Sequence, residues 1–290
     1  MMSLTLPAPA KLNLFLHITG RRPDGYHNLE SVFQFIDWCD ELSFVPSNGA
    51  NLVHLSGFAE PALNGATNLI AKAAHALAAH PAAKRRSAPV NINVNKQLPM
   101  GGGLGGGSSN AATTLLALRQ LWQVPISDIE LARIGLSLGA DVPIFLFGHA
   151  AFARGIGEQL HPVEPEPLWY LVVHPQVHVS TAAIFQHPEL PRATAAIDPT
   201  QWQLETTHND CQQLVCQAYP EVAKALRWLL EYAPARLTGT GACVFAWFTS
   251  QTDAQHVLRH LPQPWRGVVV KGLNQSPVHA ALQRATTAKS

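Results

Sequence analysis

The chain has 290 residues, of which 47% are hydrophobic and 13% charged, and its formal net charge at pH 7 is +1. This length has room for one large domain or two, and the balanced charge offers no basic surplus for nucleic acid. No apolar stretch reaches the roughly 20 residues that span a bilayer, and the first nine residues lack the charged start of a signal peptide. Four scattered cysteines are typical of reduced thiols, so we expect a cytoplasmic protein without membrane or nucleic-acid partners.

Four strands and one helix are predicted in the first hundred residues. Strict alternation over residues 10–18 predicts a strand with one core face and one polar face. Residues 19–28 hold glycine and proline and are predicted to loop, and Thr67 is the expected cap of a helix over residues 67–80. Further strands are predicted over residues 32–36, 42–45 and 90–94.

A glycine loop is the most informative segment of the chain. Six glycines fill residues 101–107, interrupted only by Leu104, and glycine lets backbone N–H groups approach an anion closely. Ser108, Ser109 and Asn110, which are helix-capping types, follow and lead into an apolar repeat at helical spacing. Because a helix N-terminus favours negative charge, we predict that this loop binds the phosphates of a nucleotide.

Two alternatives compete with this interpretation. The loop contains a Gly-x-Gly-x-x-Gly pattern at Gly101, Gly103 and Gly106. A dinucleotide site also needs an acidic residue at the end of a second strand, whereas Asp128 and Glu130 lie in a predicted helix. No Gly-Lys-Ser/Thr follows, and a flexible linker would not be flanked by a strand and a capped amphipathic helix. Phosphate binding is therefore the favoured prediction.

The remaining elements predict a mixed α and β chain. Pro143 excludes the interior of a helix, so Asp141 is predicted in a turn, and three prolines between residues 162 and 167 suggest a domain boundary there. Helices are predicted over residues 126–138, 212–232 and 253–260. Strands are predicted over residues 150–153, 158–160, 169–174, 242–249 and 267–271.

Three segments together carry a family resemblance: residues 9–14, the glycine loop with its two serines, and a Thr-Gly-Thr-Gly turn at residues 238–241. They resemble the motifs of the galactokinase, homoserine kinase, mevalonate kinase and phosphomevalonate kinase (GHMP) superfamily. Residues 19–27 and 139–145, with the extra glycines Gly106 and Gly107, resemble its branch of 4-diphosphocytidyl-2-C-methyl-D-erythritol kinases. The similarity covers most of the chain.

The resemblance implies an α+β fold of two domains. An N-terminal α/β domain (residues 1–161) would have a left-handed βαβ crossover, against the usual right-handed rule, and a C-terminal domain (residues 162–290) would be ferredoxin-like. The implied reaction uses ATP and Mg²⁺ to phosphorylate the 2-hydroxyl of a cytidylyl sugar-alcohol diphosphate in the non-mevalonate isoprenoid pathway. We expect the protein to be a monomer or a homodimer. The alternatives are a mevalonate or homoserine type of kinase, or a non-catalytic nucleotide-binding protein. The Mg²⁺ ligands stay open.

The resemblance also implies residue roles. Asp141 would be the general base on the substrate hydroxyl, with Lys11 beside it to keep it ionised. Tyr26 and Phe185 would stack on the cytosine ring and His27 would bind its edge, although core packing is an alternative for Phe185. Further substrate contacts would come from Asn13, Lys96 and Thr181. The ATP phosphates would be held by Pro99, Met100, Gly101, Gly102, Gly103, Leu104, Gly105, Gly106, Gly107, Ser108 and Ser109, the two serines alternatively acting as helix caps.

Overall fold

The fold is given by a computed structural model that describes residues 3–287. Its strands are β1 (Leu4–Arg21), β2 (His27–Pro46), β3 (Val53–Ser56), β4 (Val90–Asn95), β5 (Ala151–Arg154), β6 (Gln159–Pro162), β7 (Trp169–His174), β8 (Ala235–Leu237), β9 (Val244–Phe248) and β10 (Arg266–Leu273). Its α-helices are α1 (Leu69–Ala79), α2 (Gly106–Leu121), α3 (Asp128–Leu138), α4 (Val142–Phe147), α5 (Thr181–Gln186), α6 (Gln212–Ala218), α7 (Pro220–Leu230), α8 (Gln251–Leu258) and α9 (Pro277–Thr287).

The strands form one mixed sheet in the order β3-β4-β2-β10-β7-β9-β8, with β1 and β5 also paired to β2 and β6 paired to β5. Among the described residues only β3 and β4 pair in parallel, and α1 lies in the crossover that such a pair requires. The doubly wound parallel sheet of a dinucleotide-binding fold is therefore absent from residues 3–287. No helix in the described part of the chain is long and apolar enough to cross a membrane.

The β1–β2 hairpin is longer than predicted. Residues 32–36 and 42–45 belong to one strand rather than two, and the predicted loop shrinks to a tight turn because Arg21 pairs with His27. Register shifts along β1 let it follow this long partner, and local alternation cannot reveal such bulges. The polar face of β1 is buried as well as the apolar face, with Lys11 and Asn13 only 2% and 3% exposed.

Two predicted helix caps are wrong. The side chain of Asn68, not Thr67, accepts the hydrogen bond from the Ile70 N–H and caps α1. Helix α2 already begins at Gly106, with Gly105 as its N-cap, so the two serines lie inside its first turn and do not cap it. Asp141 lies at the N-cap of α4, as the predicted turn requires. Helices α4, α5 and α9 and strands β3 and β8 were not predicted.

The hydrophobic core links the two halves of the chain. Val278 of α9 packs into the core that surrounds α1 and α2, while Leu16 and Ile18 of β1 pack with α6 and α7. Strand β10 also pairs with β2 through Gly272 and Ile36. The division between residues 161 and 162 therefore stays a prediction, because elements from either side contribute to the core of the other.

Candidate active site

A cleft of about 1130 Å³ collects the predicted site residues. It lies where β1, the β1–β2 hairpin, the glycine loop, the N-terminus of α4, helix α5 and the Thr-Gly-Thr-Gly turn meet. The predicted residues that line it are Lys11, Asn13, Tyr26, His27, Lys96, Asp141, Thr181, Phe185 and all of residues 99–108. Segments as far apart in sequence as β1 and the Thr-Gly-Thr-Gly turn thus share one surface.

Ser109 is the exception among the predicted site residues. It is fully buried in the first turn of α2, and its hydroxyl has no hydrogen-bond partner in the described structure. Its position outside the cleft does not support a contact with nucleotide. The side chains of adjacent residues on a helix point in different directions, so only Ser108 of this pair faces the cleft.

Lys11 and Asp141 form an ion pair at the centre of the cleft. The Lys11 Nζ lies 3.3 Å from the Asp141 Oδ2, donates to the Asn13 Oδ1 at 2.5 Å and donates to the Gly103 carbonyl at 3.2 Å. A buried ammonium is costly unless it is paired, and these three oxygens provide the pairing. The Lys11 side chain is 3% exposed whereas that of Asp141 is 38% exposed, so the carboxylate is the member of the pair that a substrate can reach.

Asn13 connects this centre to the rest of the site. Its side-chain amide donates to the Ser31 hydroxyl at 2.8 Å, and that hydroxyl donates to the Phe15 carbonyl at 2.6 Å. Its backbone N–H donates to the Thr238 hydroxyl at 2.9 Å. Such a chain of satisfied, buried hydrogen bonds holds the side chain in one orientation.

The glycine loop packs directly on the Thr-Gly-Thr-Gly turn. The N–H groups of Ala242 and Cys243 donate to the carbonyls of Gly101 and Gly102, each at 3.1 Å. Gly103 has φ of +74°, and a Cβ there would lie 2.4 Å from the Thr238 carbonyl oxygen, so glycine is required. Because α2 begins at Gly106, the positive end of its dipole lies at the cleft, as phosphate binding requires.

Lys96 is held by an acidic residue that sequence reasoning missed. Its Nζ donates to the Asp40 Oδ2 and to the Leu98 carbonyl, both at 2.7 Å, while the Asp40 Oδ1 accepts from the N–H groups of Gln97 and Leu98. Burial lowers the pKa of Lys96 from its usual range, although Asp40 opposes that shift. Asp40 thus fixes the approach to the glycine loop, and nothing in its local sequence marks it.

Aromatic rings lie at one end of the cleft. The Phe185 ring centroid lies 5.4 Å from that of His27 at an interplanar angle of 31°, and Tyr26 is 58% exposed at the tip of the hairpin. The Thr181 hydroxyl lies 2.9 Å from that of Thr240. Phe185 also packs on the core around α6 and α7, so the core-packing alternative and the predicted cleft position both hold for it.

The other end of the cleft is apolar and was not predicted. Leu69 lies beside Gly107, and Phe58, Leu63 and Asn68 also line the cleft. Three of these four are apolar, and the amide of Asn68 already hydrogen-bonds to the Ile70 N–H and the Leu63 carbonyl, so this end of the cleft suits the apolar face of a planar ring. Their distance in sequence from the glycine loop hides them from motif reasoning.

Comparison with known proteins agrees with this arrangement. Residues 68–149 match the model of the GHMP kinases N-terminal domain, and residues 204–267 match that of the GHMP kinases C-terminal domain. A protein of Pseudoalteromonas atlantica named 4-diphosphocytidyl-2-C-methyl-D-erythritol kinase is 54% identical over 276 residues, which cover 95% of each chain. This chain belongs to the GHMP kinase family. The predicted α+β fold and the predicted ATP-dependent phosphotransferase class are thereby confirmed.

Further relatives fit the same family. A protein of Shewanella loihica with the same name is 52% identical over 97% of both chains. The crystal structure of a 4-(cytidine 5'-diphospho)-2C-methyl-D-erythritol kinase superposes with a TM-score of 0.79 at 29% identity, covering 93% of this chain and 99% of that one. A mevalonate kinase structure superposes with a TM-score of 0.66 at 14% identity, which shows the shared GHMP fold alone.

Proposed function

We propose that this GHMP kinase transfers a phosphoryl group from ATP to the 2-hydroxyl of 4-diphosphocytidyl-2-C-methyl-D-erythritol, in the non-mevalonate route to isoprenoid precursors. The observation that carries the proposal is one cleft that joins a glycine loop, a Lys11–Asp141 pair and an aromatic end formed by His27 and Phe185. Relatives with more than half of their residues identical over nearly the full chain bear that substrate in their name.

The chemistry is assigned to the centre of the cleft. As the substrate hydroxyl attacks the terminal phosphorus of ATP, its proton passes to the Asp141 carboxylate, a new O–P bond forms and the bond to ADP breaks. The Lys11 ammonium, 3.3 Å from that carboxylate, favours its ionised form and lies beside the attacking oxygen. The buried network through Asn13 keeps both groups oriented, so little reorganisation is needed at the moment of transfer.

The phosphate groups are assigned to the glycine loop. Its backbone N–H groups and the N-terminus of α2 would bind the ATP phosphates, with Gly103 allowing the close packing on Thr238. Mg²⁺ commonly keeps several waters and uses one or two protein oxygens with the substrate phosphates, and the Ser108 hydroxyl in the cleft would supply one such oxygen. When bound, the ion would neutralise charge on the phosphates.

The two ends of the cleft are assigned to the two bases. Tyr26, His27 and Phe185 would enclose the cytosine, because an aromatic face and a polar edge suit a pyrimidine. The apolar end near Gly107 would take the adenine of ATP. Asn13, Lys96 and Thr181 would contact the remainder of the substrate. We further propose a cytoplasmic monomer or homodimer with two domains that divide near residue 161.

A coupled assay of ADP release tests the proposal. The full chain would be supplied with ATP, Mg²⁺ and 4-diphosphocytidyl-2-C-methyl-D-erythritol, and in parallel with mevalonate or homoserine. We expect ADP only with the cytidylyl substrate, and phosphorus NMR of the product should locate the new phosphate on the 2-hydroxyl. Turnover of another alcohol in place of the cytidylyl substrate would contradict the assignment.

A further inference from the structure

All three nitrogens of the Arg192 guanidinium donate hydrogen bonds within the protein. It lies in the segment between α5 and α6, and its Nε donates to the His27 Nε2 at 3.1 Å. A guanidinium has five N–H donors, and the other four reach backbone carbonyls. Those carbonyls belong to Pro188 and Leu190, both at 3.1 Å from Nη1, and to Phe185 and His187, at 3.4 Å and 2.6 Å from Nη2.

The bond from Arg192 decides which nitrogen of His27 carries the proton. An arginine Nε–H donates and cannot accept, so the His27 Nε2 must present a lone pair. In a neutral imidazole the proton then resides on Nδ1. His27 is 7% exposed and lines the cleft, and Nδ1 is the ring nitrogen that the bond from Arg192 leaves available as a donor.

The surroundings of His27 oppose a second proton. Burial lowers its pKa below the usual value, and the positive charges of Arg192 and of Arg21 on β1 act in the same direction. A proton on the His27 Nε2 would also be repelled by the Arg192 Nε–H, because two donors would then face each other at 3.1 Å. Both effects favour the neutral imidazole.

The same guanidinium joins both sides of the aromatic end. Two of its carbonyl partners, Phe185 and His187, terminate α5, while His27 begins β2. The ring of Phe185 lies 5.4 Å from that of His27. One side chain thus fixes the stacking face and the hydrogen-bonding imidazole relative to each other, and its bond to His27 spans 165 positions of sequence.

We propose that Arg192 is a positioning residue of the nucleobase pocket, which holds His27 as its neutral Nδ1–H tautomer beside Phe185 and so sets the donor offered to the base. This inference rests on the proposed function. The pairing edge of cytosine has acceptors at O2 and N3, whereas uracil carries an N–H at N3. A fixed donor therefore matches the cytosine edge and disfavours a uracil placed in the same way.

The tautomer can be measured without any turnover. Nitrogen-15 spectra of the imidazoles in the full chain, with His27 assigned by its absence in His27→Gln, should show the Nδ1–H form. In Arg192→Ala we expect mixed tautomers and titration of His27 at a higher pH, because the cation and the bond to Nε2 are both lost. Arg192→Lys keeps the positive charge but lacks the planar guanidinium, so His27 should again titrate at the lower pH while still showing mixed tautomers.

Kinetics separate positioning from a general loss of structure. Arg192→Ala should raise the KM for the cytidylyl substrate by about tenfold, the upper range for one hydrogen bond, with kcat and the KM for ATP within about twofold. Arg259→Ala, at an exposed arginine after α8, is the matched control and should change neither the spectra nor the KM.

The outcomes distinguish the inference from the proposed function. An Nε2–H tautomer in the unmutated chain would overturn the inference even if the Arg192 variants failed to fold. An unchanged KM together with an unchanged tautomer in Arg192→Ala would also overturn it, whereas the kinase assignment would stand. An Arg192-dependent Nδ1–H tautomer in a chain without kinase activity would support the positioning and contradict the proposed function.

Discussion

The centre of the cleft and its aromatic end, the rim formed by Tyr26, His27, Thr181 and Phe185, differ in how far their side chains are exposed, although His27 itself is buried. At the centre, Lys11 and Asn13 are buried and hydrogen-bond to each other, to the Gly103 carbonyl and to the Ser31 hydroxyl. At the rim, Tyr26 is 58% exposed and Thr181 is exposed on a six-residue helix. The difference follows the work proposed for each region, because groups that face developing charge must be oriented beforehand, whereas a base can complete an open pocket itself.

The elements that form each region explain the contrast. The centre comes from the middle of β1, which is covered on both faces, and from two glycine turns that pack closely on each other. The rim comes from the β1–β2 hairpin and from α5, and the Arg192 guanidinium hydrogen-bonds to both through His27 and the His187 carbonyl. Changes at the centre should therefore affect catalysis or folding, and changes at the rim should affect substrate affinity.

The largest expected effect is that of Asp141→Asn. The amide keeps the size of the side chain but cannot take the hydroxyl proton, so kcat should fall by roughly 10²–10⁴-fold. Binding of ATP, measured by calorimetry, should change little because the glycine loop is intact. Asp253→Asn, at an exposed position on α8, is the control. Near-normal turnover of Asp141→Asn would remove the general base from the account.

Gly103→Ala should damage folding as well as catalysis. The new Cβ would lie 2.4 Å from the Thr238 carbonyl oxygen at a φ of +74°, which we expect to cost about 1–3 kcal/mol or more of unfolding free energy. Urea unfolding and ADP release measure the two effects.

Gly107→Ala is the matched comparison, since its Cβ would meet only the Leu69 Cδ1, at an ordinary 3.6 Å. It lies in the first turn of α2, where alanine favours the helix, so stability should be unchanged or slightly higher. An equal loss of unfolding free energy in Gly103→Ala and Gly107→Ala would show that the close packing of the two glycine turns does not contribute to stability.

Tyr26→Ala should have a smaller effect than Asp141→Asn, confined to the affinity for the cytidylyl substrate. Loss of one stacking face is worth about 1–3 kcal/mol per base, so the KM for the cytidylyl substrate should rise about tenfold or more while kcat stays nearly constant. The melting temperature should not move, because the side chain is largely exposed. If the KM were unchanged, the hairpin tip would not contact the base.

Local sequence patterns were sufficient to predict much of the fold and much of the centre of the cleft. The strand predicted over residues 169–174 is β7 to the residue, and the glycine loop leads into a buried helix as its apolar repeat indicates. The turn at Asp141 follows from Pro143 alone. These features depend on residue types within a few positions of one another, which a single sequence displays directly.

What could not be predicted depends on distant partners. Asp40 acts on Lys96 across 56 positions, and Arg192 acts on His27 across 165. Strand β2 is one long strand because β1 pairs along it through several bulges. Ser109 is buried because α2 begins at Gly106, three residues before it. The residue roles at the rim stay predictions until a substrate is measured there.

The most direct test of a separate centre and rim is to remove the cytidylyl group from the substrate. The full chain with ATP and Mg²⁺ would be assayed for ADP release with 4-diphosphocytidyl-2-C-methyl-D-erythritol and with 2-C-methyl-D-erythritol 4-phosphate. Since binding energy from a remote group contributes to the transition state, we expect kcat/KM to fall by at least about 10³-fold for the truncated alcohol. Equal kcat/KM values would show that the aromatic rim does not select the substrate and would contradict the account.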